Sequence, residues 1–391
     1  MKARKFHIYD FPEDKVRILM KDSVQSNFFK DCKKSFGTFR NYSKFLPVSY
    51  NTVQGWRINK LFIPLWAVKK TLPIISWEWE YVEKNIISYK GINTSLPVLN
   101  PILPIKECPE LFEITTHLIC DGCVNKNGIP YYVNSKPELI DYFKNILTKI
   151  FGKVNIKLYK KNGIYNIRFS KIIPDLINHF YDVNFDSCNA KLPHEIFEFS
   201  NEFMMACLRS VIDDEGQVRD SRIVISLKNK KLSNQIRKIL ITLSKPEYIS
   251  PLNYKSDGQW VIAIKSNGIR NFGNKIKLVH AQKRKSLLYV IEKSEIRSIG
   301  KGEHVWKTKI NILKILKEKN STTKDISRKF FITQNTVNFH LKQLAKGGLV
   351  QIIKKQKYSY IWSITKSGIE FLEKNSINKT IDNDIKLTFK K

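Results

Sequence analysis

Apolar positions along the middle of the chain follow two different periods. Leu139, Tyr142, Phe143, Ile146 and Leu147 recur at helical spacing, as do Leu232, Ile236, Ile239 and Leu240. Amphipathic helices are therefore expected near 136–151 and 231–243. Residues 165–171 and 260–266 alternate apolar and polar instead, the pattern of half-buried strands. These matched pairs mark an internal duplication. Each half opens with an apolar helix that ends in an acid followed by glycine. Two short strands, an amphipathic helix, two more strands and a last helix complete it. The order αββαββα is read over 107–198 and again over 199–298, an α+β pattern.

The flanks read differently. Residues 1–92 carry mainly helical signals, and within them 41–57 reads as helix, turn, helix. Ser49 has N-cap chemistry for the second of these helices, Val53 and Trp56 share one face, and Asn51, Thr52, Gln54 and Arg57 point the other way. That is the layout of a DNA-reading helix, with Arg57 as a contact; a plain helical hairpin shares the pattern. Pro97, Pro101 and Pro104 forbid a helix across 93–106, which is expected to be an extended connector.

After a charged, glycine-containing stretch at 298–303, residues 305–375 read as three helices, a hairpin and a helix. Ile310, Ile312, Leu313, Ile315 and Leu316 build the first, Ser321 and Thr322 can cap the second, and the third stops at Gly347-Gly348. The alternating segment 350–365 turns at the basic Lys354-Lys355-Gln356-Lys357. This resembles a winged helix-turn-helix. Val337, Leu341 and Leu344 form the core face of its recognition helix. Gln334, Asn335, Thr336, Asn338 and His340 are expected to face outward to DNA, where Asn and Gln suit base edges. A winged helix serving protein contacts fits the same pattern. Residues 376–391 read as a polar tail.

Charge narrows the partners. Lys+Arg number 68 against 35 Asp+Glu, a formal net charge of +33. An AT-rich codon bias would raise Lys, Asn and Ile without removing acids, so the excess points to a polyanion. An acidic membrane surface is the rival. No stretch approaches the roughly 18 apolar residues of a spanning helix, and the basic residues 1–6 lead into no apolar signal segment. A hydrophobic content of 42% excludes a disordered chain. The cysteines (Cys32, Cys108, Cys120, Cys123, Cys188 and Cys207) are too scattered for a disulfide scaffold. Cys120 and Cys123 form a CxxC without the second pair that zinc needs. A reduced, cytoplasmic, nucleoid-associated protein is expected.

Two segments carry chemistry: Ile114-Thr115-Thr116-His117-Leu118-Ile119-Cys120-Asp121-Gly122 and Leu208-Arg209-Ser210-Val211-Ile212-Asp213-Asp214-Glu215-Gly216. In each, an acid precedes a glycine able to take the left-handed conformation that ends a helix. Unpaired carbonyls and the helix dipole disfavour a lone carboxylate there, and a hard divalent cation reverses that balance. If the two helices pack side by side, Asp121 and Glu215 converge. Thr116, Cys120, Gly122, Ser210 and Gly216 supply small residues for the contact; Asp214 is larger than ideal.

These segments resemble the two LAGLIDADG motifs of homing endonucleases. The phrases Lys191-Leu192-Pro193-His194-Glu195-Ile196 and Phe272-Gly273-Asn274-Lys275-Ile276 resemble the family too, and the resemblance covers roughly half the chain. It implies a pseudo-twofold pair whose four-stranded sheets form a saddle over duplex DNA. Asp121 and Glu215 would be the catalytic acids and the Mg²⁺ ligands, with the metal activating phosphodiester hydrolysis. Lys171 and Lys265, each at the end of a closing strand, would be the basic catalytic residues. Tyr131, Lys157, Lys160, Arg168, Arg219, Arg222 and Lys228 would contact DNA from the sheets.

The implied activity is cleavage of a long asymmetric site by a monomer without a small-molecule cofactor, the flanking modules extending the footprint. The first motif departs from the family at Thr115, Thr116 and His117, where small or apolar residues are usual; His117 is expected to be buried and hydrogen-bonded. A non-cleaving DNA-binding regulator on the same fold and an intron RNA maturase are the alternatives. An intein is not expected, with Met1 at one end and Lys390-Lys391 at the other. Gly163-Ile164-Tyr165 lacks the partner of a GIY-YIG nuclease.

Overall fold

The computed structural model describes residues 3–92, 96–186, 189–219, 222–298, 304–330, 332–356 and 359–373. The polar tail, Cys188 and Lys357 lie outside the described residues. The chain divides into two units, Met1–Leu288 and Tyr289–Lys391.

The leading segment of the first unit mixes strands with the expected helices. In order come β1 (Lys5–Phe6), β2 (Val16–Met20), α1 (Asp22–Phe36), α2 (Phe39–Phe45), α3 (Tyr50–Arg57), β3 (Ile63–Pro64), α4 (Leu65–Ile75), α5 (Trp79–Lys84) and β4 (Ile86–Gly91). The segment read as helix, turn, helix forms α2 and α3. Ser49 caps α3 by accepting from Thr52 N at 3.1 Å, and Val53 and Trp56 are buried. The segment read as an extended connector contributes two short strands, β5 (Val98–Leu99) and β6 (Ile105–Lys106). The prolines exclude a helix there, yet the residues that follow Pro97 and Pro104 keep N–H groups able to pair.

The first repeat follows with α6 (Pro109–Ile119), β7 (Gly122–Val124), β8 (Pro130–Asn134), α7 (Pro137–Phe151), β9 (Lys153–Val154), β10 (Lys157–Lys161), β11 (Ile164–Arg168) and α8 (Ile172–Tyr181). The second has α9 (Asn201–Glu215), β12 (Gly216–Arg219), β13 (Arg222–Leu227), α10 (Lys230–Leu243), β14 (Asn253–Tyr254), β15 (Trp260–Lys265) and α11 (Ser266–Phe272), then α12 (Ala281–Ser298). The two sheets are ordered alike. Strands run β7-β8-β11-β10 in one and β12-β13-β15-β14 in the other, all antiparallel. The amphipathic stripes do what their spacing implies: Leu139, Phe143, Ile146 and Leu147 of α7 are buried, as are Leu232, Ile236, Ile239 and Leu240 of α10. Pro137 starts α7, where its missing N–H costs nothing. Gly152 ends it at φ +97, hard against the Asn100 carbonyl.

The leading segment is not a separate bead. The sheet β3-β2-β4-β5 continues into β9 of the first repeat, and β1 pairs with β6. Buried Glu107 accepts from Arg4 Nη2 at 2.9 Å and from Tyr181 Oη at 2.8 Å, while Phe6 stacks on Phe180.

The second unit contains α13 (His304–Glu318), β16 (Ser321–Thr322), α14 (Thr323–Phe330), α15 (Gln334–Lys346), β17 (Val350–Gln356) and β18 (Ser359–Ile364). Its sheet is β16-β18-β17. Its core joins Ile312, Leu313, Ile326, Val337, Leu341, Leu344 and Trp362. Thr322 and Asp325 form a reciprocal capping box on α14, and Thr333 caps α15.

Candidate functional site

The two motif helices, α6 and α9, pack against each other through small residues. Ser210 Oγ donates to the Glu113 carbonyl of the facing helix at 3.3 Å, and Cys207 Sγ lies 3.9 Å from the Phe112 carbonyl. Thr116 is fully buried and turns its hydroxyl back onto the Phe112 carbonyl at 2.8 Å.

Polar groups also cross this contact. Arg209 of α9 grips Glu113 of α6 with Nε and Nη2, and Tyr142 donates to the same carboxylate at 2.8 Å. His117 of α6 meets Asp214 of α9 at 2.8 Å, with both side chains 0% exposed. Tyr132 Oη donates to the other Asp214 oxygen at 2.9 Å. Asp214 is thus no misfit among small residues but the centre of a hydrogen-bonded cluster. Burial alone would lower the His117 pKa, yet Asp214, Glu113 and Asp213 hold it above the ordinary value.

The helix ends carry the acids. Cys120 caps α6, Asp121 follows, and Glu215 is the last residue of α9. The glycines behind them work differently from the sequence expectation. Neither has a positive φ, and Gly216 is extended at φ −79, ψ 144. Close approach is what requires them. A Cβ on Gly122 would lie 2.5 Å from Leu118 Cα, and one on Gly216 2.7 Å from both Ile212 Cα and its carbonyl oxygen. Each glycine lets a strand turn back directly over the helix that precedes it.

The carboxylates crowd one another. Burial pushes the Asp121 carboxyl up to about 7, and the Asp214 and Glu215 charges add to the shift. Burial also raises Glu215, with Asp214 adding and Lys283 opposing. Asn134 Nδ2 donates to Asp121 Oδ2 at 2.8 Å. Asp213, pushed up to about 6 by burial, accepts from Val279 N at 2.9 Å and His280 N at 3.1 Å.

This donor set fits a divalent cation. Among the described residues no group of three His, Cys, Asp or Glu side chains is preassembled. Mg²⁺, however, is typically held by one or two carboxylates together with water and substrate phosphates rather than by a protein cage. Asp121 and Glu215 are two half-buried, mutually repelling carboxylates of that kind.

Lys283, in the first turn of α12, brings a cation to the end of α9, within reach of the charges of Asp121 and Glu215. Sequence reasoning missed it because it sits in the unremarkable run Gln282-Lys283-Arg284-Lys285 of a lysine-rich chain. The two lysines expected from the sequence have other recorded neighbours. Lys171 is the N-cap residue of α8, three residues past the end of β11, and its side chain lies over Gly128. Lys265 ends β15 and donates to the Glu247 carbonyl at 3.1 Å.

Strand register sorts the expected DNA contacts by face. In the first sheet Tyr132 and Ile167 pair on the buried face. Tyr131 and Arg168 pair on the other, with Lys157 beside Arg168. Lys160 pairs with Tyr165, on the side opposite Lys157, and its ammonium lies 4.8 Å from the Tyr165 ring. In the second sheet Arg219, Arg222 and Lys265 are cross-strand neighbours on the face away from Ile223 and Ile264. Lys228 is exposed just past β13. Arg57 is exposed on α3 with its guanidinium over Phe39. On α15, Gln334, Asn335 and Asn338 are exposed, and Asn338 Oδ1 accepts from Thr323 Oγ1 at 2.9 Å. His340 corrects the sequence reading: it is buried, because it stands three residues after Val337 on the core stripe.

Residues 307–351 match the bacterial regulatory protein, arsR family. The second unit carries a helix-turn-helix. An A-type ATP synthase component of Methanopyrus kandleri is 21% identical over 176 residues, 44% of this chain and 16% of that protein. The glutamine–fructose-6-phosphate aminotransferase of Methanocaldococcus jannaschii is 25% identical over 177 residues, 40% of this chain and 16% of that protein. The chain therefore spans only a small part of the curated relatives it matches. Among solved structures, a variant of I-DmoI with its target DNA and magnesium aligns at a TM-score of 0.31 and 17% identity. It covers 43% of this chain and 95% of that one. I-DmoI with DNA and manganese aligns at 0.31 and 18%, covering 43% and 96%. Among the described residues no helix is long and apolar enough to cross a membrane.

Proposed function

We propose that this chain is a site-specific double-stranded DNA endonuclease of the homing type, hydrolysing phosphodiester bonds with a divalent metal, Mg²⁺ by preference. What supports this reading is that Asp121 and Glu215 stand at the ends of two packed helices, each with its carboxyl raised by burial and by the neighbouring Asp214 charge. A purely structural helix contact has no use for that arrangement. A divalent cation bound there would polarise a phosphate and activate water for its hydrolysis.

The protein's own residues do the rest. Asn134 orients Asp121, and Gly122 and Gly216 let the two sheets start immediately beside the acids. The repeats act as a pseudo-twofold pair, with Tyr131, Lys157, Arg168, Arg219, Arg222 and Lys265 presented to the groove from alternate strand positions. Because the two halves differ in sequence, one chain reads an asymmetric site as a monomer. The net charge of +33 supplies the salt-sensitive, sequence-independent part of the affinity.

The test is cleavage of a randomised duplex library by the purified chain in Mg²⁺. Cutting at one long site, lost in Asp121→Asn and in Glu215→Gln while binding persists, is expected. One observation favours a second reading, a non-cleaving transcriptional regulator: the regulator-type helix-turn-helix over 307–351. Tight, salt-sensitive binding of one sequence with no cutting in Mg²⁺ or Mn²⁺ would decide for the regulator.

A further inference from the structure

The last residues of α9 are Asp213, Asp214 and Glu215, three acids in a row at a helix C-terminus. That is the wrong end for them. The dipole is negative there, and the final carbonyls lack partners within the helix. The first motif helix, α6, is followed by a single acid, Asp121, so the problem belongs to α9 alone.

Lys283 answers it. Its ammonium donates to the carbonyls of Ile212 at 3.0 Å, Asp213 at 2.7 Å and Asp214 at 3.3 Å. An ammonium has three donors, and here all three go to consecutive carbonyls of one helix end. The anchor is two-sided. The Asp213 carboxylate accepts from Val279 N and His280 N, the turn that launches α12. Helix α9 thus holds the start of α12, and α12 returns a cation to the end of α9. Gly216, Lys283, His280 and Ser286 line a cleft of about 330 Å³ beside Glu215.

We propose that Lys283 is a positioning residue: it pins the acidic end of α9 so that Glu215 stands ready for a divalent cation. This rests on reading Asp121 and Glu215 as the metal-binding acids. Lys283 directs its donors to backbone and acts through the helix end rather than on DNA. Helix α12 has no counterpart in the first repeat, so the two acids are held by different means, Asp121 by Asn134 and Glu215 by α12.

The test uses the full chain and two variants, Lys283→Met and Lys283→Arg. Amide hydrogen exchange of the metal-free proteins reads the helix end directly, since Gly216 N–H bonds the Ile212 carbonyl that Lys283 also holds. Mn²⁺ titration followed by electron paramagnetic resonance reads the site. In Lys283→Met, exchange at 213–217 is expected to quicken about tenfold while α1 and α7 stay protected. Mn²⁺ affinity is expected to fall about 10–100-fold, the usual effect of losing a group that orients a ligand. Lys283→Arg restores most of both.

Unchanged exchange at 213–217, or a speed-up shared equally by α1 and α7, overturns the proposal. Quickened exchange with unchanged or tighter Mn²⁺ binding reduces Lys283 to a helix cap and overturns its functional half. A wild-type chain that binds no Mn²⁺ while its exchange responds to Lys283→Met overturns the metal reading of the acids instead.

Discussion

The buried pair between the motif helices makes the most direct energetic prediction. Glu113 is 0% exposed and Arg209 21% exposed at the side chain. Arg209 engages both Glu113 oxygens, and Tyr142 bonds each partner, at 2.8 Å to Glu113 and 2.9 Å from Arg209. Arg209→Met leaves a carboxylate with one hydroxyl for company inside the helix contact. Breaking such a pair costs about 3–5 kcal/mol, because one charge stays buried and uncompensated. The partial exposure of Arg209 places the expected cost near the lower end. Removing both charges is a different matter. Glu113→Leu with Arg209→Met puts apolar side chains of similar size on both helices and should fall within about 1 kcal/mol of the wild type. The coupling energy is then at least about 2 kcal/mol. The assay is hydrogen exchange at α6 and α9 amides in the full chain at increasing urea. A single-variant cost below about 1 kcal/mol, or a double variant as damaged as the single, would refute the reasoning.

Further expectations follow from the same geometry. Gly216→Ala and Gly122→Ala each force a Cβ onto helix backbone and should destabilise the first unit by about 1–3 kcal/mol, seen as a lower Tm. Asp121 has a folded pKa pushed up to about 7, above its unfolded value. Its protonated form therefore favours folding at low pH, and that contribution disappears as pH rises through about 7. In EDTA, Asp121→Asn should gain Tm relative to the wild type between pH 5 and 8; a flat difference would contradict the burial and crowding seen here. Arg219→Ala and Arg222→Ala should each lower the salt slope of DNA binding by about one, whereas Lys160→Ala, on the opposite face, should leave it unchanged. Filter binding at several salt concentrations distinguishes them.

Much of this protein is local and therefore readable along the chain. Periodicity locates α7 and α10 because a helix that buries one stripe must repeat its apolar residues at that spacing. It locates α15 as well, and the spacing of His340 from Val337 carries the information that puts this histidine in the core rather than on the outer face. The acid-glycine pairs at 121–122 and 215–216 are legible as chemistry, but the reason for the glycines is not. A close approach between strand and helix depends on how they fold back, not on local propensity. Asp214 reads as an oversized residue because its partners, His117 and Tyr132, come from distant positions.

Sequence alone determined the matched order of elements in the two halves, the two acidic helix ends, the C-terminal helix-turn-helix and the strong positive charge, since each is a property of spacing or composition. Only the tertiary structure decided that β5 and β9 join the leading segment to the first repeat, which strand residues share a face with Arg168 or Arg222, and which lysine meets the acids. Those outcomes rest on pairing between segments far apart in the chain. One lysine among 68 basic residues carries no local mark of the carbonyls it will find.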